Sequence, residues 1–493
     1  MKDVEAVKII NYNRKCVKKI KKWVEKEKDD NKRMNLIEYY LHFCVNNVTG
    51  VYSDPWIEKK IIEYSSKLDF DINADVIHDT VLIVMTAVSS IGGHTALANN
   101  WIQFDKDKKY SVILTESSNH CVPKFLEESV KESGGNIFYL NSSDNVSKAK
   151  ELLNIAQKFE YVILNIHMYD VVPIIAFGHR NWKRPVCFYN HADFLFSIGI
   201  SVSDMVFSMN EYDHNRTINN RGAVCSKILP VPQSKKIYKK SDKSKNELKR
   251  QLSKEYGFNA DSKIILTMGS DFKFVRTEHY DFEKFVEHVL KLSPANTYFF
   301  IIGADPNKKI WDIMRKNTHN HARALGIVKR EIVSDWMKIA DAYVTSFPMT
   351  SAGSAEAREN NVPNFRFTPT GRANEYVPKE EIYDSIDELA VAVANNIKLK
   401  NTNCYELPLN AKLARDPEQW CRRLDDLLKS VNKHELHNFK NVPILEEQEI
   451  INVQLLQGNS YPYGRSRILG WEKMIKIILI KCKQKCMYNC LLY

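Results

Sequence analysis

Residues 1 to about 75 place apolar side chains three and four positions apart, as in "CVKKIKKWVEKEKDD" and "MNLIEYYLHFCVNNV", with no turn signal inside either run. That spacing gathers the apolar positions on one helical face and predicts a helical extension over residues 1–75. From about residue 78 the pattern becomes short, continuous, β-branched or aromatic runs: "TVLIVMTAV" (80–88), "YSVILTE" (110–116), "NIFYLN" (136–141), "YVILNI" (161–166) and "PVCFYN" (185–190). Such runs suit strands buried on both faces. Between them lie segments of helical spacing, such as "SSDNVSKAKELLNIAQKF", with Ser143 or Asp144 as N-cap. Strand alternating with helix predicts a doubly wound parallel sheet, an α/β Rossmann-like domain over residues 76–235.

The lysine- and serine-rich stretch "QSKKIYKKSDKSKN" (233–246) reads as a linker, and the alternation then restarts with "KIILTMG" (263–269), "TYFFIIG" (297–303), a helix over "EIVSDWMKIA" (331–340), "AYVTSF" (342–347) and a helix near "SAGSAEAREN". A second Rossmann-like domain over residues 236–430 follows, with "RDPEQWCRRLDDLLKSV" as the last helix of the folded body. Ligands of such sheets gather beyond the carboxyl ends of the strands, so the cleft between two of them is the expected site.

A chain of 493 residues is too long for one ordinary core, in keeping with two domains plus extensions. The formal net charge of +11 changes the picture only once located. Residues 1–33 carry 12 Lys and Arg against 6 Asp and Glu, and residues 465–493 carry 7 against 1, so the body between them is close to neutral. A nucleic-acid reader concentrates its charge on a folded face instead, and none is expected as a partner. Basic ends fit an anionic membrane surface; they equally fit solvated, solubilising ends. The tail over 431–493 ends in "RILGWEKMIKIILIKCKQKCMYNCLLY", whose apolar run Ile477–Ile480 is too short to span a bilayer but could lie on its surface, dock on the protein or hang loose. No secretory signal is legible, and ten scattered cysteines then read as reduced thiols in a cytoplasm.

Candidate chemistry clusters at strand exits. Gly92 and Gly93, in "SSIGGHTALANNW", follow one strand and open a helix, where they either let an anion approach the backbone or only make a tight turn. His94 follows them, and His167 and His191 end two later strands of the same sheet, so all three histidines are expected on one edge. In the second domain Lys273 and Arg276 leave the first strand as two cations able to clamp a diphosphate, or as solvated loop charges. Gly353, Ser354 and Ala355 would present backbone N–H groups, and Glu356 could accept hydrogen bonds from hydroxyls. The Asp-x-Asp stretches "DFD" (69–71) and "DKD" (105–107) read as solvated turns, and no metal site is expected.

Over roughly residues 78–425 the sequence resembles the GT-B glycosyltransferases, and within them the retaining group 1 (family 4) enzymes. "SVSDMVFSMNEYDHNRTINNRG" resembles the family's A-D-x-[IV]-I-x-x-S-E run, "ALGIVKREIVSDWMKIADAYVTSF" the stretch before its donor loop, and "AEARENNVP" its L-E-A-M-A-x-G-x-P. The resemblance implies a metal-independent hexosyl transfer from a nucleotide-diphosphate sugar to a glycan or lipid-linked acceptor, without a further cofactor, in cell-surface polysaccharide synthesis. It implies that the Gly92–Gly93 loop lies under the donor phosphate and that His191 contacts the donor sugar. Lys273 and Arg276 would hold the diphosphate, Glu356 the ribose, and the backbone at Gly326 and Ile327 the base; His167 falls on the acceptor side. Three positions depart from the pattern: Pro348 stands where E-x7-E has its first glutamate, Ser270 where Arg follows Gly, and Asn361 replaces the usual glycine. These departures keep a second expectation open, a non-catalytic GT-B-like scaffold that binds a sugar nucleotide or glycan within an assembly.

Overall fold

The computed structural model describes residues 2–89, 93–116, 122–192, 195–231, 242–274, 281–347, 353–368, 375–399, 404–414, 416–431, 433–437 and 442. Three helices open the chain, α1 (Lys2–Lys26), α2 (Asp30–Asn46) and α3 (Pro55–Ile62). The first alternation runs β1 (Ile77–Met85), α4 (Gly93–Phe104), β2 (Lys109–Leu114), α5 (Lys124–Glu132), β3 (Ile137–Tyr139), α6 (Asn145–Ala156), β4 (Phe159–Asn165), α7 (Val171–Phe177), β5 (Val186–Tyr189), β6 (Met205–Ser208), α8 (Glu211–Asn219) and β7 (Ser226–Ile228). The second runs α9 (Lys245–Tyr256), β8 (Lys263–Met268), α10 (Phe282–Leu292), β9 (Thr297–Ile302), α11 (Lys309–Asn317), β10 (Ala322–Gly326), α12 (Arg330–Ile339), β11 (Ala342–Val344), α13 (Gly353–Glu359), β12 (Asn364–Phe367), β13 (Ile382–Tyr383) and α14 (Ile386–Leu399), before α15 (Leu409–Ala414) and α16 (Pro417–Ser430).

Among the described residues these strands form two parallel sheets, ordered β3-β2-β1-β4-β5-β6-β7 and β10-β9-β8-β11-β12-β13. In both sheets the strand order reverses beside the first strand, which leaves a switch point at the carboxyl ends of β1 and β8 where a ligand finds room. The continuous apolar runs have the cause expected of them, because alternate residues of one strand enter opposite cores. Leu82, Val84, Val162, Leu164 and Phe188 share a core with α2, α3 and α7, whereas Val81, Ile83, Met85, Ile163 and Phe207 share one with α4, α5 and α16. The second sheet divides likewise, Ile265, Phe299 and Val344 toward α10 and α14, Ile264, Phe300 and Tyr343 toward α9 and α12.

The opening helices are built into the first unit. Glu58 of α3 is fully buried and accepts the backbone N–H of Ser201 at 2.9 Å as well as its hydroxyl. Burial outweighs those hydrogen bonds and raises its carboxyl to about 7. Ser65 donates to the Ile175 carbonyl at 2.5 Å. At the other end, α16 crosses back to the first sheet, where Lys108 meets Asp425 at 3.0 Å and Trp420 is fully buried against Trp101. The carboxyl edges of the two sheets meet where the Glu211 N–H, just past β6, donates to Glu375 Oε1 at 2.8 Å, past β12.

One alternative is settled here and one expectation changes. Asp144, not Ser143, caps α6, accepting from the N–H groups of Val146 and Ser147. Asp105 of "DKD" is no solvated turn residue: it is buried, accepts the Tyr110 hydroxyl at 2.5 Å, and has the Lys108 ammonium 3.7 Å away, so a cation and a hydroxyl offset its desolvation. Six cysteines, Cys16, Cys44, Cys187, Cys225, Cys404 and Cys421, are free thiols. No helix among the described residues is long and apolar enough to cross a membrane. The tail from 443 onward, with its membrane-surface reading, and most of the linker lie outside the described residues.

Candidate functional site

β1 ends at Met85 beside β4, and the chain then turns into α4 at Gly93. Gly92 lies outside the described residues. Gly93 is exposed, and a Cβ there would meet nothing within 4 Å. The backbone at Gly93 is therefore open to an approaching group, and the N–H groups and dipole of a helix start favour negative charge. His94 folds back from the first turn, its Nε2 2.9 Å from the Ala87 carbonyl, while Asn165 at the end of β4 donates to the His94 carbonyl at 3.1 Å.

The three strand-end histidines come together. The His94 ring lies 5.4 Å from that of His167, in an edge-on arrangement, and 5.8 Å from that of His191, stacked. Burial, and then the neighbouring imidazoles of His94 and His167, hold His191 down to about 3. Burial and His94 hold His167 down to about 4. Both rings are thus neutral at physiological pH, each with one donor and one acceptor nitrogen. Among the described residues the Nδ1 atom of His191 is buried without a hydrogen-bond partner, and the Tyr189 backbone lies against the same ring, offsetting part of the fall. Such an atom is costly to leave unsatisfied, and a ligand hydroxyl would satisfy it.

Arg221, which the sequence did not single out, holds the loop behind His191. It is fully buried, and its guanidinium donates to the Tyr52 carbonyl at 3.0 Å, the Ser197 hydroxyl at 2.6 Å, and the carbonyls of Ala192 and Leu195 at 3.3 and 2.8 Å. Asp170, also missed, caps α7 and accepts the hydroxyls of Thr86 and Thr115 at 2.6 and 2.5 Å. It locks the exits of β1, β2 and β4 to one another. Glu116 stands at the exit of β2. Desolvation and then the Asp170 carboxylate push it up to about 7, against the pull of the Lys148 ammonium, and Glu38 adds to the rise. The signal was present in the sequence: Glu116 closes the run "YSVILTE", and Asp170 stands as a capping residue directly before "VVPIIAF".

In the second sheet three glycines crowd the exits. Gly303, with φ +93°, approaches the Gly269 carbonyl so closely that a Cβ would stand 2.8 Å from its oxygen. Gly303 N–H donates to the Gly326 carbonyl at 2.8 Å, and Gly326 lies in the left-handed region at φ +72°. Ile327 next to it is 75% exposed, an apolar face beside a bare strand exit. Lys273 sits half-buried in the turn after β8, where burial lowers the pKa of its ammonium. The turn is held by Asp271, which accepts the Trp311 indole N–H at 2.6 Å and pairs with Lys308 at 2.6 Å. Arg276 and Pro348 lie outside the described residues.

Gly353 opens α13 for a reason different from ligand access. It is buried, and a Cβ there would stand 2.1 Å from the Tyr343 hydroxyl, so its absence lets the helix settle on β11. Ser354 keeps a buried hydroxyl oxygen without a hydrogen-bond partner among the described residues, and Ala355 and Glu356 follow half-buried in the same turn.

Two Rossmann-like sheets joined at their carboxyl edges, preceded by helices that extend the first, make this a GT-B fold. Among solved structures, HepE of Anabaena, determined with UDP and glucose, superposes with a TM-score of 0.52 at 16% identity, over 72% of this chain and 100% of that one. A glycosyltransferase of Rickettsia africae matches with a TM-score of 0.49 at 11% identity, over 71% and 98% of the two chains, and the lipopolysaccharide outer core galactosyltransferase WaaB with 0.48 at 12%, over 71% and 99%. No family model and no curated protein matches the sequence.

Proposed function

We propose that the protein is a glycosyltransferase that moves a hexose from a nucleotide-diphosphate sugar to a glycan or lipid-linked acceptor. The observation that carries this reading is the meeting of His94 with the uncharged rings of His167 and His191, whose Nδ1 has no partner among the described residues, at the switch point of a GT-B fold. The glucose- and UDP-bound HepE supports it at the level of the fold.

In this reading the donor base rests against Gly326 and Ile327, and Glu356 accepts the ribose hydroxyls. The diphosphate meets Lys273, Arg276 and the backbone at Gly353–Ala355 on one side and the α4 amides with the Gly92–Gly93 turn on the other. As the glycosidic bond breaks, negative charge grows on the leaving diphosphate, and fixed cations and amides stabilise it without a metal. His191, uncharged, hydrogen-bonds the sugar without repelling the oxocarbenium-like charge that develops on its ring. Its second nitrogen and His94 orient that contact, and His167 faces the acceptor. Closure of the two domains excludes water, so the acceptor hydroxyl captures the sugar.

Synthesis of a cell-surface polysaccharide is the role we assign, at the cytoplasmic face of the membrane, with the basic ends drawn to anionic lipid. The test is substitution of Arg276 and His191 by Ala: each lowers transfer by orders of magnitude with the melting transition retained, and full activity in either variant rejects the assignment. The scaffold alternative rests on Pro348 and Ser270 replacing family residues, and predicts donor binding without nucleotide release.

A further inference from the structure

The helical extension reaches the histidine cluster. His42 of α2 lies 4.2 Å, ring centroid to ring centroid, from Tyr169, whose hydroxyl is 3.2 Å from His167 Nδ1. From Tyr169 the rings continue through His167 at 5.7 Å and His94 at 5.4 Å to His191 at 5.8 Å. All five rings are half-buried, so each keeps an accessible part. An unbroken aromatic wall thus runs from an element outside the Rossmann-like unit to the switch point.

Tyr169 is fixed from behind. Its turn is closed by the Asp170 N–H donating to the His167 carbonyl at 3.1 Å, and Ile198 N–H donates to the Met168 carbonyl at 3.2 Å. Beside the wall, Glu38 lies one turn before His42 on the same face of α2. It accepts the Asn145 side chain at 2.9 Å, which aims it toward the start of α6. Lys148, one turn into α6, donates to the Thr115 carbonyl at 2.9 Å, next to Glu116. Asn145 and Lys148 thus bring Glu38 and the backbone beside Glu116 to the same end of α6, and Thr115 reaches the cluster through Asp170 and Thr86, whose hydroxyl accepts the His167 N–H at 2.8 Å.

Aromatic rings with carboxyl groups nearby are the chemistry that holds a sugar. The apolar C–H face of a pyranose covers an aromatic ring, and its equatorial hydroxyls donate to carboxylates. Two carboxyl groups against one ammonium disfavour a second anion. We infer that α2 supplies the outer end of the acceptor subsite, where His42 and Tyr169 stack on an uncharged saccharide unit and Glu38 and Glu116 take its hydroxyls. The inference rests on the glycosyltransferase reading and adds to it the acceptor class and the residues that select it. His42 and Glu38 are specificity residues; neither touches the reacting atoms.

The experiment uses the full chain and saturation-transfer NMR with p-nitrophenyl hexopyranosides and p-nitrophenyl glucuronide as probes. The neutral glycosides show saturation transfer and the glucuronide does not. His42→Ala and Glu38→Gln each weaken neutral-glycoside binding at least tenfold, while the dissociation constant of UDP-glucose, measured by calorimetry, stays within twofold of the wild type. Equal binding of glucuronide and hexosides, or unchanged glycoside binding in both variants, overturns the inference. Nucleotide release by the wild type is measured in parallel. Release accompanied by unchanged glycoside binding in the variants removes this inference alone, whereas no release from any donor removes the reading beneath it.

Discussion

The indole of Trp420 stands perpendicular to that of Trp101, with ring centroids 5.2 Å apart, and so ties the last described helix to the first glycine-opened one. Both side chains are fully buried, and Leu424 and Leu428 continue the contact into the same core. Trp420→Ala removes one half of this pair and leaves a cavity, at a cost of about 3–5 kcal/mol. Urea unfolding monitored by fluorescence measures it; a loss under ~1 kcal/mol would show that α16 is a loose appendage.

The histidine cluster sets an acid limit on stability. His167 and His191 bind protons more weakly in the folded chain, at about 4 and about 3, than an unfolded histidine does. As pH falls below about 6.5 the unfolded chain takes up protons first. The stability present above that pH is lost as pH falls toward the folded values. Urea midpoints at pH 7 and pH 5 record the slope, and His167→Gln flattens it. An unchanged slope in that variant contradicts an uncharged His167.

Glu116 titrates nearer neutrality than His167 and His191 do. With its carboxyl pushed up to about 7, the acceptor kcat/KM rises as pH passes through neutrality and the carboxylate forms. Glu116→Gln removes that inflection. A wild-type profile flat from pH 6 to 8 excludes Glu116 from the site.

Among the described residues Arg221 donates to four neutral oxygens, two of them carbonyls on the loop that follows His191. Charged donors of this kind contribute about 1.5–3 kcal/mol each, not additively. Arg221→Lys therefore lowers both the melting temperature and turnover, because one ammonium cannot span a fork of carbonyls. Wild-type behaviour of the lysine variant would show that the loop holds itself.

Gly353 distinguishes packing from ligand access. Gly353→Ala drives a methyl group into the Tyr343 hydroxyl and costs about 1–3 kcal/mol before any donor is bound. Tyr343→Phe in the same chain recovers part of the loss. If Gly353→Ala leaves the melting temperature unchanged and only weakens donor binding, the glycine serves the ligand instead.

Much of the fold was legible because buried parallel strands write themselves as continuous apolar runs. The run around "TVLIVMTAV" is β1, and "TYFFIIG" is β9. Three strands were not legible: β13, Ile382–Tyr383, is only two residues long, and the other two share a physical reason. β10, in "HARALG", is an edge strand of mostly half-buried residues carrying Arg323, and β12, "NFRF", is four residues long with Arg366 within it. Neither shows a continuous apolar stretch. At the site, the meeting of His94, His167 and His191 followed from their strand-end positions. Arg221 and His42 did not, since each acts through contacts between segments remote in the chain, and no local pattern records such a meeting. Gly353 was noted for an open backbone, while its packing against Tyr343 is a tertiary fact.

The most direct test of the central claim is nucleotide release by the full-length protein incubated with UDP-, GDP- and ADP-sugars, with and without a neutral glycoside. We expect one donor to be cleaved, with release of its nucleoside diphosphate accelerated by the glycoside and abolished in Arg276→Ala. Failure of every donor either to bind or to be cleaved would contradict a diphosphate held between the two sheets.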